Sequence, residues 1–262
     1  MEARVGVVVL SRNTSEYAKN CFLTLSGNVK VPFEFVLINN GSDEANTRVL
    51  RKLSVENESI YYIENKENAG YPAGMNQGIR FLQTRFPKIE YFALLNDDLI
   101  IGEDFIASAI KVFEENVLVG MVTPMTNYAS HKDQNVEHHG GRKTGKIVEM
   151  HNLIMVSPII HKRVINRVGL LDENFNLGGY EDNDYSLRVK LAGYKIVLDG
   201  TSFVYHYGSR ANRLLPQNYW DNLEKNKVYF REKWGLSGED LNSDEWYKRF
   251  FDYSCRGRSL DG

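Results

Sequence analysis

Cysteine is scarce in this chain: Cys21 and Cys255 are its two copies in 262 residues. Two cysteines so far apart make neither a disulfide framework nor a thiolate metal cluster. A reducing interior is therefore the expectation. Long apolar runs are missing as well, and no stretch approaches the ~20 residues that a membrane-spanning helix requires. The opening residues Met1-Glu2-Ala3-Arg4 lead straight into a short apolar strand and do not build a signal peptide. The expected location is cytoplasmic, with peripheral contact at the inner face of a membrane left open. An excess of charge of one sign is absent too, since 32 basic residues stand interspersed against 34 acidic ones, for a net charge of −2. That pattern lacks the electrostatic footprint of a nucleic-acid binder. Nor is there the glycine, proline or charge excess of a disordered chain.

What is there is a chain long enough for a sizeable core. We read it as one α/β domain over residues 1–213 with a C-terminal helical extension, 214–262, packed on it. Apolar strand candidates alternate with helical patterns, as in a mostly parallel sheet covered by helices. Strands are expected over Val5–Leu10, Glu34–Ile38, Ile60–Ile63, Tyr91–Leu95 and Val119–Val122. Helices are expected near Glu16–Leu25, with Thr14-Ser15 as a cap, and near Glu44–Leu53, Pro72–Phe86 and Phe105–Glu115. A polar, irregular stretch covers Asn127 to Glu149. Later come a helix ending near Ala192, a strand leading into His206, and a helix near Asn218–Lys233 with a loose tail beyond Asp252.

The most informative segment is Tyr91-Phe92-Ala93-Leu94-Leu95-Asn96-Asp97-Asp98, an apolar run that ends in a carboxamide and two carboxylates. Ligands bind α/β sheets beyond the carboxyl ends of their strands, and hard divalent cations take oxygen ligands there. The plain alternative is an Asx-rich turn that caps the helix beginning near Asp104. Two further strand ends are similarly polar: Ser11-Arg12-Asn13 and Asn39-Asn40-Gly41-Ser42-Asp43. Each alone is ordinary turn chemistry, but the three converge on one edge of the sheet. The stretch Asn68-Ala69-Gly70-Tyr71-Pro72-Ala73-Gly74-Met75-Asn76-Gln77-Gly78 adds glycines at a helix entry, where free N–H groups can meet an anion. It is not a Walker A loop, for no Gly-Lys-Ser/Thr follows, and Gly74 and Gly78 suit close helix packing equally well.

In order and spacing these pieces, from Val5 to Arg210, resemble the family 2 glycosyltransferases with the GT-A fold, especially their rhamnosyltransferase-like branch. The resemblance implies a mostly parallel sheet flanked by helices and a nucleotide-sugar donor, UDP- or dTDP-linked, bound with Mn²⁺ or Mg²⁺. It implies Asp98 as a direct metal ligand, Asp97 as a ribose or sugar contact, and donor contacts from Ser11, Asn13, Asn39, Gly41, Asn68, Gly70, Gly74 and Asn76. Two departures stand out. Asn96 replaces the first acid of the family's DxD element, and Asn39 stands where an aspartate often contacts the nucleobase, keeping an acceptor while losing charge.

Gly178-Gly179-Tyr180-Glu181-Asp182-Asn183-Asp184 gathers acids at a helix start, a place where caps and the macrodipole favour them for stability alone. By resemblance, Glu181-Asp182 is the family's acidic pair, with Glu181 facing substrate and Asp182 as general base. A carboxylate near a helix N-terminus and a divalent ion should have a low pKa. His206, at the end of Phe203-Val204-Tyr205-His206, resembles the family's metal or diphosphate element, with Ser209 and Arg210 donating to phosphate oxygens. His138-His139-Gly140-Gly141 is expected to be a mobile loop bordering the acceptor cleft. The basic and aromatic helix near Asn218–Lys233 is expected to pack on the domain, although an anionic membrane or lipid-phosphate acceptor is also conceivable.

The expected activity is thus inverting, metal-dependent sugar transfer to a hydroxyl acceptor such as a glycan. A sugar nucleotidyltransferase would want a glycine-rich basic loop after the first strand, and Leu10-Ser11-Arg12-Asn13-Thr14 has no glycine. A non-catalytic nucleotide-sugar-binding or carbohydrate-binding module would bind donor without releasing nucleoside diphosphate.

Overall fold

The computed structural model describes residues 3–208, 219–237, 247 and 250. Its elements, in chain order, are β1 (Val5–Ser11), α1 (Ser15–Asn28), β2 (Phe33–Asn40), α2 (Glu44–Glu56), β3 (Ile60–Asn65), α3 (Tyr71–Arg85), β4 (Tyr91–Asn96), β5 (Leu99–Ile100), α4 (Phe105–Glu115), β6 (Val119–Thr126), β7 (Ile147–Met150), β8 (Ile159–His161), α5 (Lys162–Val168), α6 (Glu181–Leu191), β9 (Lys195–His206) and α7 (Tyr219–Trp234). Two short 3₁₀ turns, Lys132–Gln134 and Val136–His139, lie between β6 and β7.

The main path of the sheet runs β3-β2-β1-β4-β8-β6-β9-β5, with β7 on β9. Its long ladders, β1 with β2 and β4, β2 with β3, and β6 with β9, are parallel; the short ones are antiparallel. The chain winds outward from β1 to β2 and β3, then returns to place β4 on the other side of β1. That reversal opens a crevice at the carboxyl ends of β1 and β4, the usual ligand position in such sheets. Register sets the loops level, since Ser11 pairs with Asn39 and Leu10 with Asn96. The architecture is the expected α/β sheet, mostly parallel and flanked by helices.

Alternation along β1 explains the two core layers. Val5, Val7 and Val9 point to the side covered by α1, α2 and α4, where Leu25, Leu50, Phe105 and Ile106 pack; Val8 points to α3, α5 and α6, where Met75, Ile79, Val164 and Tyr185 pack. α2 starts at Asp43, whose carboxylate accepts from the Asn46 N–H at 2.8 Å. α4 starts at Asp104, which accepts from the Ala107 N–H at 2.9 Å. Asp104 therefore supplies the cap that Asn96-Asp97-Asp98 had been weighed for, and those three residues are left to another role.

On α3 a Cβ at Gly74 would lie 2.4 Å from Leu10 Cδ1, and one at Gly78 would lie 2.4 Å from Val8 Cγ1. Both glycines are occupied by packing of the helix on β1, which assigns the close approach at Gly74 to the sheet. Gly74→Val should cost about 1–3 kcal/mol through overpacking. A melting curve would read this, and an unchanged midpoint would show that Leu10 yields freely.

Several elements differ from the sequence reading. β6 continues to Thr126, four residues past the expected end, and the irregular stretch ends in β7. β5, β8 and α5 were not anticipated; two or three apolar residues beside proline and polar neighbours carry almost no periodic signal. α7 packs through Phe230 against Phe175 and Leu187. Among the described residues, no helix is long and apolar enough to cross a membrane.

Candidate active site

A cleft of about 610 Å³ spans the carboxyl ends of the central strands. It is lined by residues at the ends of the central strands, Leu10, Arg12, Asn40, Asn96-Asp97-Asp98 and His206, and by residues of the segments around them, Asn68, Tyr71, Tyr128, Ile154-Met155-Val156, Leu177-Gly178-Gly179, Glu181 and Asp182. The fold thus brings the expected metal ligands and the expected base, distant in sequence, into one cavity.

Asp98 and His206 meet because β5 pairs antiparallel with β9, setting Leu99 opposite His206. His206 Nε2 lies 3.1 Å from Asp98 Oδ1, and both side chains are almost wholly buried. The other ring nitrogen, Nδ1, is 2.7 Å from the Tyr128 carbonyl oxygen. A carbonyl can only accept, so Nδ1 carries a proton and Nε2 is the atom turned to the carboxylate. Asn127 holds the strand end in place, accepting from the His206 N–H at 2.7 Å and donating to its carbonyl at 3.0 Å. Burial works against the imidazolium, but the Asp98 hydrogen bond and charge outweigh it, and the His206 pKa is raised.

Asp97 turns the other way. Thr14 Oγ1 donates to its carboxylate, and fully buried Ser11 lies beside them, its Oγ 3.4 Å from Thr14 Oγ1. Burial pushes the Asp97 carboxyl up to about 7, with the neighbouring Asp98 charge adding to the rise and Thr14 holding it back. Thr14, expected to cap α1 with its side chain, makes no such bond and serves Asp97 instead.

The residues present fit a divalent cation as a carboxylate oxygen and an imidazole nitrogen facing the same space. Among the described residues no cluster of three or more His, Cys, Asp or Glu surrounds them. Any remaining ligands would come from substrate phosphate and water, which is the habit of Mg²⁺ sites.

The second loop is knit to itself. Asn39 donates to Thr47 Oγ1 at 2.9 Å and Tyr62 Oη at 3.1 Å, and accepts from the Ser42 N–H at 3.0 Å. Its amide is consumed behind the cleft wall, and Asn40 is the residue that reaches the cavity. Asn13, at φ +58°, accepts from the Asp43 N–H at 2.8 Å and so joins the first loop to the second. Gly41 is required by contact, because a Cβ there would lie 2.4 Å from the Glu67 carbonyl carbon.

Asn68 accepts from Asn40 Nδ2 at 2.9 Å and from the Gly70 N–H at 3.0 Å, shaping the turn into α3. Gly70, at φ +83°, is the N-cap of α3, and a Cβ there would lie 2.8 Å from the Leu177 nitrogen. Asn76 does not reach the cavity. It is fully buried, pairing through Oδ1 with the Leu171 N–H at 3.0 Å and through Nδ2 with the Leu171 carbonyl at 2.9 Å. Its role here is to bind α3 to the segment that leads into α6.

At the start of α6, in the same cleft, Asp182 Oδ1 accepts from the Asn183 N–H at 2.8 Å, and Glu181 Oε2 is buried without a partner. Burial raises both carboxyl pKa values, and at Glu181 the Asp182 charge adds to it. At Asp182 burial thus outweighs the few backbone donors of the helix start. Asp184 is committed elsewhere: its carboxylate holds Arg188 Nε at 2.8 Å, Lys233 Nζ at 2.7 Å and Trp234 Nε1 at 3.0 Å. Tyr71, part of the helix-entry segment but given no role there, donates to the Met155 carbonyl at 3.2 Å, and burial raises its pKa well above the usual value, with the Glu181 and Asp182 charges adding to it.

Arg12 had been passed over as a site residue, although its loop had been noticed; it lines the cleft and its Nε is buried without a partner. Tyr128 and Asn127 were hidden in the irregular stretch, where nothing in residue type or period marked them. His139 Nε2 lies 3.1 Å from the Asp133 carbonyl, and it is Glu137 of that 3₁₀ turn that reaches the cavity. Ser209 and Arg210 lie outside the described residues.

A family model described as Glycosyl transferase family 2 matches residues 6–169. Glycosyltransferase GlyA from Streptococcus pneumoniae serotype 4 is 25% identical over 115 residues, 44% of this chain and 16% of that protein. The mannosyltransferase PcManGT from Pyrobaculum calidifontis, in complex with GDP-Man and Mn²⁺, superposes with a TM-score of 0.62 at 13% identity, over 87% of this chain and 61% of that one. S. aureus TarS 1-349 gives 0.60 at 14% identity, over 93% and 66%. GalNAc-T7 with UDP, GalNAc and Mn²⁺ gives 0.64 at 14% identity, over 97% and 55%. The chain thus spans less than two thirds of each of these relatives, and at such identity the likeness to the solved structures concerns the fold, which is GT-A.

Proposed function

The chain belongs to glycosyl transferase family 2, and on that premise we propose that it moves a sugar from a nucleotide-sugar to a hydroxyl acceptor with inversion at the anomeric carbon. The observation that carries this reading is the placement of the Asp98–His206 pair, 3.1 Å apart, and of Asp182 in the lining of a single cleft. The cleft has room for a nucleotide-sugar and an acceptor hydroxyl together, being of the usual size for small-molecule sites.

In this scheme Asp98 and His206 hold Mn²⁺ or Mg²⁺. When bound, the ion would offset the charge that develops on the departing nucleoside diphosphate. Arg12 contributes fixed positive charge on the donor side, and Asp97, anchored by Thr14, faces the ribose or sugar. Asp182 accepts the proton of the acceptor hydroxyl as its oxygen bonds to the anomeric carbon and the bond from that carbon to the diphosphate breaks. With one base and no separate protein nucleophile, the displacement is single and the configuration inverts. A buried carboxylate with a raised pKa is a stronger base than an ordinary aspartate, which suits this task at neutral pH.

The UDP- or dTDP-linked donor, a hexosyl or deoxyhexosyl group, a glycan acceptor, a role in polysaccharide assembly, the rhamnosyltransferase-like branch and a cytoplasmic setting follow from the family resemblance and complete the reading. The GDP-Man complex of one structural neighbour makes GDP-sugars the necessary comparison. Release of nucleoside diphosphate from UDP-, dTDP- and GDP-hexoses, with Mn²⁺ or with chelator, is the test. Metal-dependent release from one of them is expected. Binding of a donor with no release under any condition would favour the non-catalytic module.

A further inference from the structure

Immediately before Glu181-Asp182 the backbone takes a course that side chains oppose. Leu177, Gly178, Gly179 and Tyr180 have φ values of +56°, +111°, +100° and +70°, a left-handed run in which two members are not glycine. Within the loop the Gly178 N–H donates to the Asn176 carbonyl at 2.6 Å, and left-handed backbone at Leu177 and Tyr180 is strained for non-glycine residues. Helix α7 supplies the compensation from outside. Asn226, 3% exposed, directs Nδ2 at the carbonyl oxygens of Asn176, Gly178 and Gly179, at 2.9, 3.0 and 3.1 Å. Successive left-handed residues turn these carbonyls toward one point, and a single amide with two N–H protons occupies it.

The same helix grips the loop on either side. Asn222 Nδ2 also donates to the Asn176 carbonyl, and Leu223 lies so near Gly179 that a Cβ there would be 2.5 Å from Leu223 Cδ1. Beyond the loop, the first turn of α6 closes through the Asp184 N–H on the Tyr180 carbonyl at 2.9 Å, and Asp184 is in turn held by Lys233 and Trp234 of α7. Gly178 and Gly179 line the cleft next to Glu181 and Asp182. The matched family region ends at residue 169, so neither this loop nor α7 belongs to it.

We infer that Asn226 is a positioning residue for sugar transfer: by gathering three carbonyls it holds the left-handed loop in the one course that presents Asp182 to the acceptor side of the cleft. The inference rests on Asp182 being the base, as proposed above. It makes the C-terminal helix a working part of the transfer machinery. The donor loops at 11–13, 39–43 and 96–98 have no bond to Asn226, whereas the one at 68–70 abuts Leu177 through Gly70, so donor affinity is read beside kcat.

The test uses the full chain with Asn226→Ala, and with Asn226→Ser as the milder variant should alanine fail to fold. Two quantities are read: calorimetric affinity for UDP, dTDP and GDP with Mn²⁺, and kcat for nucleoside diphosphate release from the corresponding hexoses. The expected result is affinity within about twofold of the unchanged protein and kcat lower by at least about tenfold, the signature of an interaction felt in the transition state. A folded variant with normal kcat overturns the inference, as does parallel loss of affinity and melting temperature, which would mark a merely structural residue. Hydrogen exchange supplies a readout independent of turnover. Faster exchange confined to 176–186 is expected, and a uniform increase overturns the clamp. If the unchanged chain released no nucleoside diphosphate from any donor, the proposed function would fall while exchange still decided on the clamp.

Discussion

Asp182→Asn is expected to lower kcat by about 10²–10⁴-fold while leaving nucleoside diphosphate affinity near that of the unchanged protein, because a general base acts in the transition state. Asparagine keeps a side-chain oxygen that can accept from the Asn183 N–H as Asp182 does, so the fold of α6 should survive. The pH dependence carries a second signature. Burial holds the Asp182 carboxyl above the ordinary aspartate value, and the base works only when deprotonated. kcat/KM should therefore fall as pH drops through that raised pKa and level off above it, and the asparagine variant should lose this limb. Near-normal transfer by folded Asp182→Asn protein would eliminate the assignment and turn attention to Glu181, since Asp184 is already bound to Arg188, Lys233 and Trp234.

The other large effect is expected at Asp98. Asp98→Ala removes one of two protein groups available to a cation and leaves His206 Nε2 without its carboxylate. Loss of several kcal/mol of charge stabilisation corresponds to about 10³-fold or more in transfer rate. The shift in melting temperature that Mn²⁺ with nucleoside diphosphate gives the unchanged protein should vanish in the variant, because a ligand stabilises only the state that binds it. Retained metal-dependent turnover would show that the ion, if used, sits elsewhere.

How far the molecule can be read from its residues depended on whether a signal was periodic or only local. The parallel half of the sheet was legible because Val5–Leu10, Glu34–Ile38 and Tyr91–Leu95 are apolar runs punctuated by polar turns, and their register then brings the loops together. β8 and β5 were not, since a strand of two or three residues owes its existence to the neighbours it pairs with. At the site, Asp97, Asp98, Asp182 and His206 stood out as chemically capable residues at element ends. Asn39 and Asn76 looked equally capable, yet the structure spends Asn39 on Thr47, Tyr62 and Ser42, and Asn76 on Leu171. An amide that reads a ligand and one that ties two loops have the same spelling; only the third dimension tells which partner arrived. The burial of Asp182 was hidden for the same reason, as it is a property of the assembled wall and not of the helix start.

The strand order also dictates a sequence of events in assembly. β4, β1, β2 and β3 are contiguous in the early chain, whereas β6 lies between β8 and β9 and its parallel partner is the strand that begins at Lys195. During synthesis from the N-terminus, the first ladders can close while β6, with Val119, Met121, Val122 and Met125 destined for burial, still lacks both its neighbours, β8 and β9. Non-local parallel pairing is slow, and an unpaired apolar edge is open to association with other chains until it is covered. The arrival of β9 covers that edge and, in the same stroke, delivers His206 to Asp98 at its far end. With Asp98 and His206 as the proposed cation ligands, metal competence would report completed folding, and nascent or kinetically trapped chains should be recognisable as those that do not yet respond to a divalent ion.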